Sequence, residues 1–130
     1  MAEERVNLWT APGPADEWIA DFLGRLAQDL ASATEGVLKG EVAPAVLGPS
    51  VNYAFYVVAP SLDDYRYRLF SVWRDVAGGG QIRVDGGYAV EVVTNLEELE
   101  TAVARIVQSP ETRSLLEALK NQSRKMDQMD

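Results

Sequence analysis

Residues 51–75, VNYAFYVVAPSLDDYRYRLFSVWRD, decide the fold of this chain. Two runs of aromatic and β-branched residues, which favour strands, flank a short turn at 60–64. The first run, Tyr53–Ala59, is apolar on both faces, which predicts a central strand covered by helices on one side and shielded on the other. The second run, Tyr65–Arg74, alternates less strictly. The two runs together predict an antiparallel hairpin.

The second run also carries a row of arginines among aromatic residues. Strict alternation places Tyr65, Tyr67, Leu69 and Trp73 on one side of the strand and Arg66, Arg68, Phe70, Val72 and Arg74 on the other. Such a row is able to bind a carboxylate, a phosphate or an acidic peptide. The ordinary alternative is a solvated face on which the arginines pair with Glu91 and Asp75.

Residues 81–94 predict a second hairpin. A three-residue loop at Asp85–Gly87 pairs Ile82 with Val90, which the hydrophobic pattern favours over a two-residue loop. The apolar residues that then share one face are Ile82, Val84, Tyr88, Val90 and Val92. On the opposite face, Arg83 and Glu91 form a diagonal ion pair.

Helical periodicity precedes the strands. An apolar stripe at spacings of three and four predicts a helix over residues 15–34, ending near Gly36. Between this helix and the first hairpin, residues 42–47 are compatible with an edge strand only, because Pro44 cannot donate a ladder hydrogen bond.

Two helices are predicted after the strands. Thr94 or Asn95 caps the first, with Glu97 or Glu98 three residues later. Ser109 and Pro110 begin the second, since proline suits the first helical position. Beyond Lys120 the chain is polar and weakly patterned, so we expect its end to fray.

These elements predict one α+β domain. Its sheet is an antiparallel meander of about four strands with an optional extra edge strand, and one N-terminal and two C-terminal helices pack on one face. We expect an N-terminal tail at 1–14, the domain at 15–121 and a frayed tail at 122–130.

Composition argues against common catalytic chemistry. The chain has no histidine and no cysteine, the side chains most used for proton transfer, thiol chemistry and transition-metal ligation. Asp63 and Asp64 lack the spacing of a calcium loop, and Gly78–Gly80 precedes a strand rather than a helix, unlike a phosphate loop. We therefore expect no enzyme, metal or cofactor.

The net charge of −8 opposes nucleic-acid binding, whose affinity comes mainly from neutralising phosphates. It favours a basic protein partner if the partner is charged. No apolar run is long enough for a membrane span, and the acidic start does not resemble a secretory signal. A cytoplasmic location is expected, and the absence of cysteine is compatible with it.

By elimination, the sequence predicts a non-enzymatic interaction protein, such as an adaptor, a chaperone-like subunit or an inhibitor, with a homodimer as an alternative. The candidate surface residues are Trp9, Tyr65, Arg66, Tyr67, Arg68, Trp73, Arg74 and Arg83. A second hypothesis is a ligand-binding or sensory domain with a pocket between sheet and helices. That pocket would be lined by Tyr53, Phe55, Tyr67 and Trp73, with an arginine at its mouth.

In size, acidity and class the chain resembles bacterial type III secretion chaperones and toxin-neutralising immunity proteins. The resemblance is compositional and rests on no motif. The chaperone pattern places a helix within the strand series, whereas residues 75–80 leave no room for one.

Overall fold

Five antiparallel strands form a single sheet in which each strand pairs with the next along the chain. The computed structural model describes residues 14–75, 81–87 and 89–128. The strands are β1 (Lys39–Leu47), β2 (Ser50–Ala59), β3 (Tyr65–Asp75), β4 (Ile82–Asp85) and β5 (Val90–Val93), and the helices are α1 (Pro14–Ala33), α2 (Leu96–Val107) and α3 (Pro110–Gln128). The predicted α+β meander is confirmed, and its strand count is five because the optional edge strand forms.

The edge strand is β1, which pairs only with β2. Pro44 lies in the middle of β1 opposite Tyr53. A proline is tolerated there because one side of an edge strand needs no ladder donor.

One face of the sheet carries the hydrophobic core, and we call it the helix face. Phe55 of β2 and Phe70 of β3 stack there with ring centroids 5.1 Å apart. The buried residues around them come from two helices and four strands: Ile19, Leu23, Tyr53, Val72, Ile82, Val84, Val93, Leu99, Ala102 and Val103. A second cluster joins Leu38, Val57 and Ala59 to Leu119 of α3. All three helices therefore cover the same face.

Strand β3 contains an irregularity that the alternation pattern did not reveal. The register with β2 shifts between Phe55 and Tyr56, so that Phe55 pairs with Phe70 whereas Tyr56 pairs with Arg68. Leu69 is thus an extra residue, a β-bulge, and the side-chain alternation changes phase at it.

The predicted sides of β3 were therefore wrong. Arg66 and Arg68 share one face with Trp73, while Arg74, opposite Val51 and Ile82, lies on the helix face. Arg74 does not belong to the row of arginines.

The predicted register of the second hairpin was also wrong. Ile82 pairs with Val93 rather than Val90, because a four-residue connection replaces the expected three-residue loop. Val93 is buried on the helix face, and Val92 is about half exposed on the other face. Glu91 lies on the helix face, opposite Val84, and therefore forms no pair with Arg83.

The two C-terminal helices begin where the sequence indicates. The Asn95 side chain accepts a hydrogen bond from the Glu98 backbone N–H, and the Glu98 carboxylate accepts from the Thr94 N–H. Helix α3 runs to Gln128, further than the expected end of the domain near residue 121. Its last turns are held to the body of the protein, since Ser123 is buried and the Ser61 hydroxyl donates to Asp127.

Candidate interaction surface

The second face of the sheet is covered by no helix of the described residues, and we call it the open face. Strand pairing aligns its side chains in rows that run across the strands. One row is Ala43, Ala54, Ser71, Asp85 and Val90, and the next is Ala45, Asn52, Trp73, Arg83 and Val92. On the side toward the start of β3 follow Glu41, Tyr56 and Arg68, and then Lys39, Val58 and Arg66.

The centre of the open face is polar and aromatic. Trp73 lies between Asn52 and Arg83, which are its direct cross-strand neighbours. Asn52 Oδ1, Ser71 Oγ and Arg83 Nε are buried and have no hydrogen-bond partner among the described residues. Each such atom costs about 1–3 kcal/mol relative to a paired one. Ala54, Val58 and Ser71 on the same face are at most 5% exposed, so the centre of this face is shielded from solvent although no described helix covers it.

The two arginines of the first half of β3 differ in their surroundings. The Arg66 guanidinium lies 2.6 Å from a Glu41 carboxylate oxygen and 4.6 Å from the centre of the Tyr56 ring. Arg68 is exposed and has no ion pair among the described residues. Glu91, one of the acids proposed to pair with the arginines, instead binds Arg105 of α2 at 2.6 Å. Arg68 is therefore available to an acidic group from outside.

The charge of the open face differs from that of the whole chain. Its described basic residues are Lys39, Arg66, Arg68 and Arg83, and its acidic residues are Glu41, Asp75 and Asp85. The chain as a whole carries −8. The open face is thus a slightly basic surface on an acidic protein, which attracts acidic groups locally.

A cleft exists between the sheet and the helices, although not where it was expected. It has a volume of about 290 Å³ and is lined by Tyr67 and Leu69 of β3, Ile106 of α2 and Leu115 of α3. Arg105 stands at its wall, paired with Glu91.

The other residues expected to line that pocket lie elsewhere. Tyr53 is a core residue, Phe55 lines a separate cavity of about 240 Å³ beside Leu30 and Leu116, and Trp73 is on the open face.

The remaining candidates from the sequence lie in a turn or outside the described residues. Asp63 and Asp64 form the turn before β3 with φ of 60° and 55°, a conformation that aspartate tolerates. Among the described residues no group of three metal-ligating side chains converges, and no helix is long and apolar enough to cross a membrane. Trp9 and Gly78–Gly80 lie outside the described residues.

Comparisons with protein-family models, curated proteins and solved structures find no match to this chain.

Sequence reasoning named Arg66, Arg68, Trp73 and Arg83 as candidates but did not predict their arrangement. It missed Asn52 and Ser71, which no local pattern distinguishes from ordinary strand residues. Asn52 and Ser71 become notable only when the register of β2, β3 and β4 is known, because the register places them beside Trp73 and Asp85.

Proposed function

We propose that this chain is a non-enzymatic interaction domain, acting as an adaptor, a chaperone-like subunit or an inhibitor, which binds a protein partner through its open face. The observation that carries the proposal is the central group of Trp73 and Arg83 with the unpaired polar atoms beside them. Tryptophan and arginine are the residues that most often dominate interface energies, and they act near the centre of the contact.

The partner is expected to present carboxylates at this face. Arg68 and Arg83 have no ion pair among the described residues, and guanidinium groups bind carboxylates through short, charge-assisted hydrogen bonds. The overall charge of the chain suggested a basic partner. The local charge of the open face favours an acidic contact surface instead.

Site-specific photo-crosslinking tests this proposal. The photoreactive benzoylphenylalanine replaces Trp73 in one variant and the exposed Arg124 of α3 in the control. We expect a discrete adduct with another protein from position 73 only. Adducts of equal yield from both positions, or an adduct with a second copy of the chain alone, would contradict the proposal.

The captured partner is then purified and its affinity measured. Arg83→Glu should weaken binding at least about tenfold, because it places a like charge against the partner's carboxylates. Arg124→Glu makes the same charge change away from the open face and should leave the affinity unchanged. Circular dichroism checks that both variants fold.

A second candidate, a small-ligand domain, is favoured by the cleft at Tyr67. Its volume of about 290 Å³ is at the lower limit of usual ligand pockets, which span roughly 300–1,000 Å³. We therefore rank this function below protein interaction.

A further inference from the structure

The first half of β3 has a neighbouring strand on one side only. Strand β2 pairs along all of β3, but β4 pairs only with Ser71–Arg74. Within the described residues, nothing pairs with Tyr65–Phe70 on the β4 side. Alternate backbone N–H and C=O groups of this half-strand are therefore free to accept another strand.

The two outer edges of the sheet are poorer templates. Strand β1 carries Pro44 in its middle, and β5 is only four residues long. The free edge of β3, by contrast, has four consecutive exposed residues, Tyr65–Arg68. Of the means by which proteins discourage edge pairing, proline and shortness are absent from this edge, whereas charged side chains, Arg66 and Arg68, and the β-bulge at Leu69 are present.

Two recesses lie beside this free edge. The cleft at Tyr67, Leu69, Ile106 and Leu115 has a volume of about 290 Å³. A second recess of about 280 Å³ shares Tyr67, Leu69 and Gly86 with it, is also lined by Arg68 and Asp85, and is mostly polar. Apolar side chains of an added strand would find contact in the first recess, at Leu69, Ile106 and Leu115.

The opposite side of the same edge is basic. Arg66 and Arg68 project onto the open face, since they pair with Val58 and Tyr56 of β2. Successive side chains of a strand point to opposite faces. An added strand would therefore place one set of its side chains in the first recess and the other set beside these arginines.

We propose that an extended segment of a partner protein, in which apolar and acidic residues alternate, adds to the sheet along Tyr65–Leu69. This inference rests on the proposed function and specifies how the partner binds. Backbone hydrogen bonds supply affinity in this mode, and the alternate side chains supply specificity.

Charge argues against a second copy of this chain as the added strand. Pairing of two identical Tyr65–Arg68 edges would bring the arginines of one copy close to those of the other. Like charges on neighbouring strands are destabilising, and two chains of −8 also repel at long range. With an acidic segment from another protein, the arginines face carboxylates instead of other arginines.

Capped hexapeptides provide the test. The probe alternates valine with glutamate, and the control has three valines followed by three glutamates. We expect the alternating peptide to bind at least about tenfold more tightly by calorimetry. Hydrogen exchange of backbone amides in Tyr65–Phe70 should slow at least about tenfold on binding, because the added strand protects them. Equal binding of the two peptides, or no added protection, would overturn the inference.

N-methylated peptides and charge reversal test the geometry. Methylation of one alternate set of peptide amides should abolish binding, whereas methylation of the other set should preserve it. Arg68→Glu should weaken binding of the glutamate peptide about tenfold and favour a peptide that alternates valine with lysine. Arg124→Glu, the matched control, should change neither.

The outcomes separate this inference from the proposed function. One outcome is that Arg83→Glu weakens binding of the captured partner while no peptide protects the amides of Tyr65–Phe70 against hydrogen exchange. That result would mean that the partner uses the open face without strand addition, and only the inference would fail. Protection of this segment that rises with protein concentration in the absence of peptide would identify a second copy as the occupant and overturn it. If Arg83→Glu has no effect either, the proposed function fails as well.

Discussion

Gly40 of β1 lies where α1 approaches the sheet so closely that a methyl group has no room. A Cβ atom there would lie 2.6 Å from Ala27 Cα and 2.9 Å from Phe55 Cζ. We expect Gly40→Ala to lower the free energy of unfolding by about 1–3 kcal/mol, since overpacking forces backbone and ring to shift. Urea denaturation measures this loss.

Gly24 of α1 provides the matched control. A Cβ atom at Gly24 meets nothing within 4 Å, and glycine within a helix is less favourable than alanine by roughly 0.5–1 kcal/mol. Gly24→Ala should therefore raise the free energy of unfolding. If both substitutions changed stability in the same direction, the close approach of α1 to β1 would be wrong.

At the scale of elements, the register of β5 is tested by two neighbouring valines. Val93 is 1% exposed and Val92 is 52% exposed. Val93→Ala should cost about 1.5–3 kcal/mol, the value of a buried aliphatic side chain, whereas Val92→Ala should stay within roughly 0.5 kcal/mol of the parent. The register predicted from the sequence makes Val92→Ala the more destabilising substitution. Thermal or urea unfolding of the two variants therefore decides between the two registers.

The cap of α2 is a second element-level test. Asn95→Ala removes the side-chain oxygen that accepts the Glu98 N–H at 2.8 Å and should cost about 1 kcal/mol. Asn121→Ala, at an exposed position within α3, removes no cap and should have little effect. If Asn121→Ala lowered the free energy of unfolding as much as Asn95→Ala, the capping role of Asn95 would be contradicted.

The sequence predicted these elements better than it predicted their faces. Caps, periodicity and Pro44 are local signals, so the helices, the hairpins and the edge strand were anticipated. The bulge at Leu69 and the four-residue connection after Asp85 are not local signals. The bulge shifts the pairing by one residue and the longer connection moves the partner of Ile82 by three, from Val90 to Val93. An odd shift exchanges the two faces of a strand, which is why Arg74 and Val92 were misplaced.

In the molecule as a whole, the two faces of the sheet differ in what they carry. The helix face holds both hydrophobic clusters, and the open face gathers Trp73, Arg83 and the free arginine Arg68. This division follows from the topology, because all three helices cover the same side. The candidate site could not be predicted as a unit, since Asn52, Trp73 and Arg83 meet only when β2, β3 and β4 are aligned.

The net charge of −8 also makes a prediction for the molecule as a whole. Self-repulsion among the acidic groups destabilises the compact state, and salt screens it. Salt also screens exposed ion pairs such as Arg66–Glu41, Arg105–Glu91 and Lys120–Glu117. Exposed pairs contribute at most about 1 kcal/mol each and often nothing, so the repulsion should dominate. We expect the urea midpoint to rise when NaCl is raised from about 20 mM to about 500 mM.

A charge variant serves as the control for this salt response. Asp21 and Glu100 are exposed and have no ion pair among the described residues, so replacing both with lysine reduces the net negative charge without breaking a contact. The variant Asp21→Lys with Glu100→Lys should be more stable than the parent at low salt, and its urea midpoint should respond less to NaCl, because less repulsion is left to screen. A parent midpoint that falls with salt would mean that the ion pairs outweigh the repulsion. In that case the acidity of the chain would not oppose its folding.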